Sequence, residues 1–227
     1  MPDKKDPALA SFAAQVEALR VTHLPAKVGV MIPTYNRPDL LRLCVMQFAA
    51  QSRAPDIICV HQNGVSDSYR WVVDDLKVAP QIVWLHTPVQ LPQHQWYSIP
   101  LNYLIEQGCS HVFWADHGDL YLRDHIDKGL EDLRHVDFAA SPRAALLFTA
   151  ATEYRLDPDH DFSATPPGGL AAGMCFNRRF ARGLLADLDQ DDSHMYTHDV
   201  VGQVTCPRFR CRFNERRTAI HHPNAPH

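Results

Sequence analysis

Four short apolar runs, each closed by proline, glycine or polar residues, alternate along the first half of the chain with segments whose apolar positions recur at helical spacing. Val28-Gly29-Val30-Met31-Ile32 stops at Pro33, and Asp56-Ile57-Ile58-Cys59-Val60 closes at Asn63-Gly64. Ile82-Val83-Trp84-Leu85 and His111-Val112-Phe113-Trp114-Ala115 repeat the form, which suits strands buried on both faces of a parallel sheet. Between them the pattern predicts helices over 38–50, opening with Pro38 and Asp39, over 67–77, opening at Asp67 or Ser68, and over 95–107, ended by Gly108. Strand and helix alternating at this pace imply an α/β sheet with right-handed crossovers. Leu9, Phe12, Ala13, Val16 and Leu19 predict a leading helix over 7–20.

The second half is less regular. Strands are predicted over 136–140 and 146–150, and a long loop rich in Asp, Pro and Gly over 156–170. A strand over 171–176, a helix over 178–188 and a short helix over 197–204 follow, and a helix near 122–134 precedes them. Ligands of open parallel sheets bind beyond the carboxyl ends of the strands, so Pro33 to Arg37, Gln62 to Gly64 and Asp116 to Asp119 are predicted to line one crevice.

Composition narrows the class. The 227 residues, 45% of them hydrophobic, suffice for one domain with a sizeable core. A net charge of −4, from 22 Lys and Arg against 26 Asp and Glu, gives no global pull toward nucleic acid or an anionic membrane. Six cysteines without a C-x-x-C spacing read as reduced core residues. No apolar window approaches the roughly eighteen residues of a membrane span, and the early charges of the N-terminus fit no signal peptide. A cytoplasmic, soluble protein is the expectation. The 14 histidines are the most unusual count.

Three constellations carry chemistry. In Pro33-Thr34-Tyr35-Asn36-Arg37-Pro38 a strand ends and a helix begins, so free helix amides and Arg37 can hold an anion, although such a turn can be purely structural. Asp116-His117-Gly118-Asp119 sets two carboxylates beside an imidazole at a strand's carboxyl end, fit for a hard divalent cation or for capping the next helix. In His198-Asp199 a carboxylate can take a proton from a hydroxyl, or again serve as a cap. Trp84 and Trp114 lie in apolar strands and read as core. Trp96 has polar neighbours and suits either the core or stacking on a sugar or base. Arg208, Arg210, Arg212, Arg216 and Arg217 read as solvent-facing positions on a strand, with phosphate binding as the alternative.

The order of Val28 to Pro38, then Ile57-Ile58-Cys59-Val60-His61-Gln62-Asn63-Gly64, then Asn102 ahead of His111 to Asp116, resembles family 2 glycosyltransferases of the GT-A fold. The resemblance implies a single α/β, Rossmann-like GT-A domain over 27–222, with a mainly parallel sheet flanked by helices, a leading helix in 1–26 and a tail over 223–227. It implies a nucleotide-sugar donor held by Pro33, Thr34, Tyr35, Arg37, Gln62, Asn63 and Asp116, and an acceptor pocket bordered by Trp96, Gly169 and Gly173. It also implies a divalent cation, Mn2+ or Mg2+, on Asp116, Asp119 and His222. His198 and Asp199 match the catalytic pair in the His-Asp form of rhamnosyltransferase-like members, with Asp199 as the base. Two positions depart from the family pattern: Gln62 replaces an aspartate before Asn-Gly, and Gly118 replaces the second acidic residue after Asp116.

The implied reaction is an inverting single displacement from a nucleotide-diphosphate sugar to a carbohydrate or other hydroxyl acceptor. The departures motivate an alternative, a GT-A-like binding module without transfer activity. A nucleotidyltransferase is a second alternative, although no glycine-rich, lysine-bearing loop follows the first strand. Nucleic acid as substrate would have to rely on the arginine cluster.

Overall fold

The computed structural model describes residues 25–140, 143–150, 153–157, 173–190, 200–213 and 219–221. Strands in the first half are β1 (Val28–Thr34), β2 (Ile57–Asn63), β3 (Gln81–Thr87), β4 (His111–Trp114), β5 (Leu120–Tyr121) and β6 (Phe138–Ala140). In the second half they are β7 (Arg143–Ala150), β8 (Glu153–Asp157), β9 (Met174–Asn177), β10 (Cys211–Phe213) and β11 (Ala219–His221). The helices are α1 (Pro38–Ala49), α2 (Gln93–Glu106), α3 (His125–Asp132) and α4 (Arg178–Asp189).

β1 lies in the middle of a seven-stranded sheet of order β10-β6-β9-β4-β1-β2-β3. The four strands β3-β2-β1-β4 run parallel, and β9 is antiparallel to both β4 and β6. A second sheet, β5-β11-β7-β8, forms beside it. The fold is the expected α/β domain with a mainly parallel sheet.

Side chains alternate across that sheet with the period of two that a strand imposes. Val28, Val30 and Ile32 of β1, with Ile58, Val60 and Phe113, meet Leu41, Cys44, Val45 and Phe48 of α1 and Ile126 of α3. Met31, Cys59 and Trp114 face the other way, toward Leu101 and Leu104 of α2 and Phe180 and Leu184 of α4. Gly29 belongs to this second face: a Cβ there would lie 2.7 Å from Leu104, so its absence lets α2 close on β1. All six cysteines are free thiols, five of them buried.

Pro100 stands inside α2 and has no N–H for the carbonyl of Trp96, one turn earlier. His61 fills that role: its Nδ1 donates to the Trp96 oxygen at 2.8 Å, while Nε2 accepts from the Thr87 hydroxyl at 2.9 Å. Burial lowers the His61 pKa, consistent with a neutral imidazole bridging β2, β3 and α2.

Four sequence-based expectations need correction. The helix predicted over 67–77 is a loop with a single 3-10 turn, Arg70–Val72. Gln62 takes the backbone here, since its Nε2 donates to the Asp67 carbonyl at 2.8 Å and its Oε1 accepts from the Tyr69 amide at 3.1 Å. Side-chain bonds of this kind compete with helix formation. β3 is accordingly only half-covered, and Trp84, expected in the core, is half-buried and edge-on to Tyr69 at 5.7 Å. The helix over 197–204 is a π-helical turn at Val200–Thr205, followed by a 3-10 turn at Cys206–Arg208. Residues 156 and 157, placed in a loop, end β8. The leading helix of 7–20 and residues 158–170 of the long loop lie outside the described residues.

Candidate functional site

The crossovers run from β1 outward to β2 and β3, and the chain then returns to place β4 on the other side of β1. Connections leaving two neighbouring strands in opposite directions open a crevice at their carboxyl ends. Its walls are the turn at 35–37 and the loop at 115–119. His117 Nδ1 donates across it to the Pro33 carbonyl at 3.3 Å. Burial is the main cause of a lowered His117 pKa, and Arg37 adds to it, against the Pro33 hydrogen bond and the carboxylates of Asp116 and Asp119.

The β1 side is built from a relay of hydrogen bonds. Thr34, fully buried, lies 3.1 Å from the Tyr69 hydroxyl. Burial pushes that hydroxyl's pKa up, while hydrogen bonds with Thr34 and the backbone of Arg37 and Asn36 act the other way. Since Gln62 holds the Tyr69 amide, Gln62 supports the β1–α1 turn through Tyr69. Asn36 turns in the left-handed region at φ 46°, and Tyr35 stands 40% exposed at the mouth. Arg37 precedes α1 and pairs with Asp39 at 3.5 Å. Asn63 accepts from the Leu91 amide at 3.0 Å, and Gly64 at φ 78° passes Gln90 where a Cβ would approach within 2.9 Å.

We expect Gln62→Leu to lower stability by about 2 kcal/mol, because it strands the buried Tyr69 amide. Urea unfolding measures the effect. Unchanged stability would show that the relay does not hold the turn.

The β4 side is anchored by Tyr121. Its hydroxyl accepts from the Asp116 amide at 2.8 Å and donates to the Asp116 carbonyl at 3.3 Å, while its own amide donates to Gln47 Oε1 at 2.7 Å. Asp116 is thus presented half-buried at the strand end. Asp119 is enclosed at 2% exposure. Its charge adds to burial in raising the pKa values of the Cys44 thiol and the Tyr121 hydroxyl, so both stay neutral.

The structure brings Pro33, Thr34, Tyr35, Arg37, Gln62, Asn63, Asp116 and Asp119 to the carboxyl ends of three adjacent strands. Gly173, at φ 73°, precedes β9 just beyond the Met174–Trp114 pair and so lies beside the end of β4. Trp96 opens α2, packs beside the core and stacks on Tyr97 at 5.6 Å. His198, Asp199, Gly169 and His222 lie outside the described residues. Among the described residues, no group of three His, Cys, Asp or Glu gathers that can hold a metal ion. The third residue that the resemblance implies for a cation, His222, lies outside that search. β11 pairs antiparallel with β5, Ile220 opposite Leu120, and so runs toward the 116–119 loop as the described residues end at His221.

The arginines sit elsewhere. Arg208 pairs with Asp187, Arg210 with Asp137 at 3.5 Å and Arg212 with Asp132 at 3.3 Å, on the far side of the sheet near edge strand β10. Arg216 and Arg217 are outside the described residues. Tyr69, Tyr121 and Gln47 shape the site through hydrogen bonds and belong to none of the motifs in the sequence. Only Gln47, a polar residue within the apolar run Val45 to Ala50, carries a visible signal.

These features define an α/β fold of the GT-A type. No protein-family profile and no curated protein matches the chain. Among solved structures, the chain is similar to S. aureus TarS 1–349, at 12% identity and a TM-score of 0.63, over 86% of this chain and 60% of that one. The complex of TarS 1–349 with UDP-GlcNAc gives 11% identity and a TM-score of 0.62, over 88% and 60%. The complex with UDP gives 12% identity and a TM-score of 0.63, over 86% and 60%. The chain therefore spans about 60% of the length of the TarS chain it matches.

Proposed function

We propose that this protein is a glycosyltransferase that moves a sugar from a nucleotide-diphosphate sugar to an acceptor hydroxyl with inversion. The observation that carries the reading is the crevice between β1 and β4, where the 35–37 turn and Asp116 are held by the Tyr69 and Tyr121 hydroxyls. Its support from the fold is the likeness to TarS, a family 2 glycosyltransferase seen with UDP-GlcNAc. UDP-GlcNAc is the first donor to test.

In this reading Thr34 and Tyr35 border the base and ribose, and Arg37 with the free amides opening α1 faces the diphosphate. Asp116 lies next to the diphosphate, Gln62 acts as a positioning residue through Tyr69, and Trp96, Gly169 and Gly173 border the acceptor. Asp199 takes the proton of the acceptor hydroxyl as that oxygen attacks the anomeric carbon, and the bond to the nucleoside diphosphate breaks on the opposite face. His198 orients that carboxylate, as in the rhamnosyltransferase-like His-Asp form. A divalent cation, Mn2+ or Mg2+, on Asp116 with Asp119 and His222 would supply charge neutralisation at the leaving diphosphate.

Isothermal titration of the full chain with UDP and UDP-GlcNAc tests the reading, followed by an assay of UDP release over a panel of donors and acceptors. Absence of binding to UDP and to the other common nucleoside diphosphates, GDP, ADP, CDP and dTDP, with a dissociation constant below about 1 mM would overturn it. A second reading, a nucleotide-binding module without transfer, is favoured by the engagement of both ends of the Gln62 amide within its own loop. UDP binding without UDP release from any donor would select it.

A further inference from the structure

A hollow lies on the outer flank of the β1–α1 turn, outside the crevice. It has a volume of about 430 Å³ and is lined by Pro38, Asp39, Arg42, Trp71, Val72 and Asp75. That volume lies within the roughly 300–1,000 Å³ range of ligand sites. Its first lining residue follows Arg37 directly in the chain.

The hollow is built rather than incidental. In the 3-10 turn Arg70–Val72 the amides of Val72 and Val73 donate to the carbonyls of Tyr69 and Arg70, at 3.1 and 3.0 Å. Tyr69, Val72 and Val73 are buried, and this register leaves Trp71 facing out, 68% exposed. It is the most exposed aromatic side chain among the large exposed hydrophobics of the described residues. Opposite it, Arg42 of α1 closes the wall with three bonds: Nη1 to the Val72 carbonyl at 2.5 Å and to Asp75 at 2.6 Å, and Nη2 to Asp75 at 2.9 Å. A bidentate guanidinium–carboxylate pair fixes orientation as well as charge.

The composition of the wall selects the ligand. An indole face and Pro38 offer an apolar platform, while Asp39 and Asp75 accept hydrogen bonds and Arg42 donates them. The guanidinium is already matched by Asp75, and Asp39 by Arg37. With each carboxylate paired to a guanidinium, the wall offers no unmatched charge to draw an anion or a cation. A pyranose needs neither charge. Its C–H face covers the indole, and its ring hydroxyls reach the carboxylates and the guanidinium at the rim.

We propose that this hollow is a binding site for a neutral saccharide chain. Under the transferase reading that chain is a glycan docked outside the crevice; the saccharide site itself does not rest on that reading.

Saturation-transfer NMR and calorimetric titration of the full chain with maltotetraose, cellotetraose and chitotetraose test it. At least one is expected to bind, with affinity reduced tenfold or more in Trp71→Ala and largely kept in Trp71→Phe, while UDP affinity stays unchanged in both variants. Saccharide binding that depends on Trp71 in a protein that binds none of the common nucleoside diphosphates would support the site and overturn the transferase reading. UDP binding without affinity for any of the three saccharides would overturn the site and leave that reading intact. Equal saccharide affinity in Trp71→Ala would also overturn the site. So would Trp71-dependent binding of inorganic phosphate or tetramethylammonium in place of saccharide, or a dimer in sedimentation velocity that Trp71→Ala dissociates.

Discussion

Replacing Asp199, the proposed general base, by asparagine is expected to slow the proposed sugar transfer by about 10²- to 10⁴-fold, the usual contribution of a positioned base, and to leave UDP affinity unchanged. Asparagine keeps the size and shape of the side chain, so donor binding and folding are preserved, but it has no carboxylate to receive the acceptor's proton. The acceptor oxygen then attacks as a neutral hydroxyl. The effect falls on kcat, because the missing interaction forms only as the transition state is reached. The assay is UDP release with the donor and acceptor that the panel identifies, alongside a UDP titration of the same preparation. Transfer at the wild-type rate would remove Asp199 from the mechanism. Loss of UDP affinity together with transfer would give it a role in folding and not in the chemistry.

The fold was legible where burial dictates one pattern. β1 and β2 are buried on both faces and read as continuous apolar runs, so their positions follow from the sequence almost residue by residue. The 67–77 segment misled because its apolar residues, Tyr69, Val72, Val73 and Leu76, recur at helical spacing. What decided its conformation was the side chain of Gln62, at the end of the preceding strand, whose bonds to the Asp67 carbonyl and the Tyr69 amide propensity cannot weigh. The candidate site divides in the same way. That Pro33 to Arg37 and Asp116 would meet follows from strand ends in a parallel sheet. The Tyr121 hydroxyl on the Asp116 backbone, and the enclosure of Asp119 beneath the loop, depend on side-chain packing across three elements. Sequence alone left Arg210 and Arg212 open between solvent and phosphate. Their partners, Asp137 and Asp132, lie more than seventy residues away in the chain.

Asp137→Ala is expected to destabilise the protein by about 3 kcal/mol, two hydrogen bonds to a charged acceptor at the lower end of their usual range, and to reshape its acid unfolding. Asp137 is 2% exposed. It accepts from Asn177 Nδ2 at 2.9 Å and from the Arg210 amide at 3.2 Å, tying the starts of β6 and β10 to the end of β9. Arg179 and Arg210 approach it at 3.7 and 3.5 Å, but both guanidinium side chains are mostly exposed and contribute little. Asn177 in turn caps α4 by accepting from the Phe180 amide at 3.0 Å, so losing Asp137 also loosens that cap. Burial alone would raise the Asp137 pKa; the bonds from Asn177 and Arg210 and the two guanidinium charges outweigh it, and the net shift is downward. A carboxylate with a lowered folded pKa stabilises fully above its unfolded value, about 3.9. That contribution is lost as pH falls through the folded pKa. Wild type and Asp137→Ala are therefore expected to differ by the full amount from neutral pH down to about 4, and the difference is expected to narrow below it as the carboxylate protonates. For a chain of this size the neutral-pH difference corresponds to about 6–12 °C in Tm. Thermal unfolding across pH 3–7 on the order of ten points, for Asp137→Ala and the isosteric Asp137→Asn, measures both features. If the alanine variant is too unstable to purify, the asparagine variant carries the same test of the charge. Parallel curves whose separation never narrows at low pH would show that Asp137 acts through packing and not through its charge.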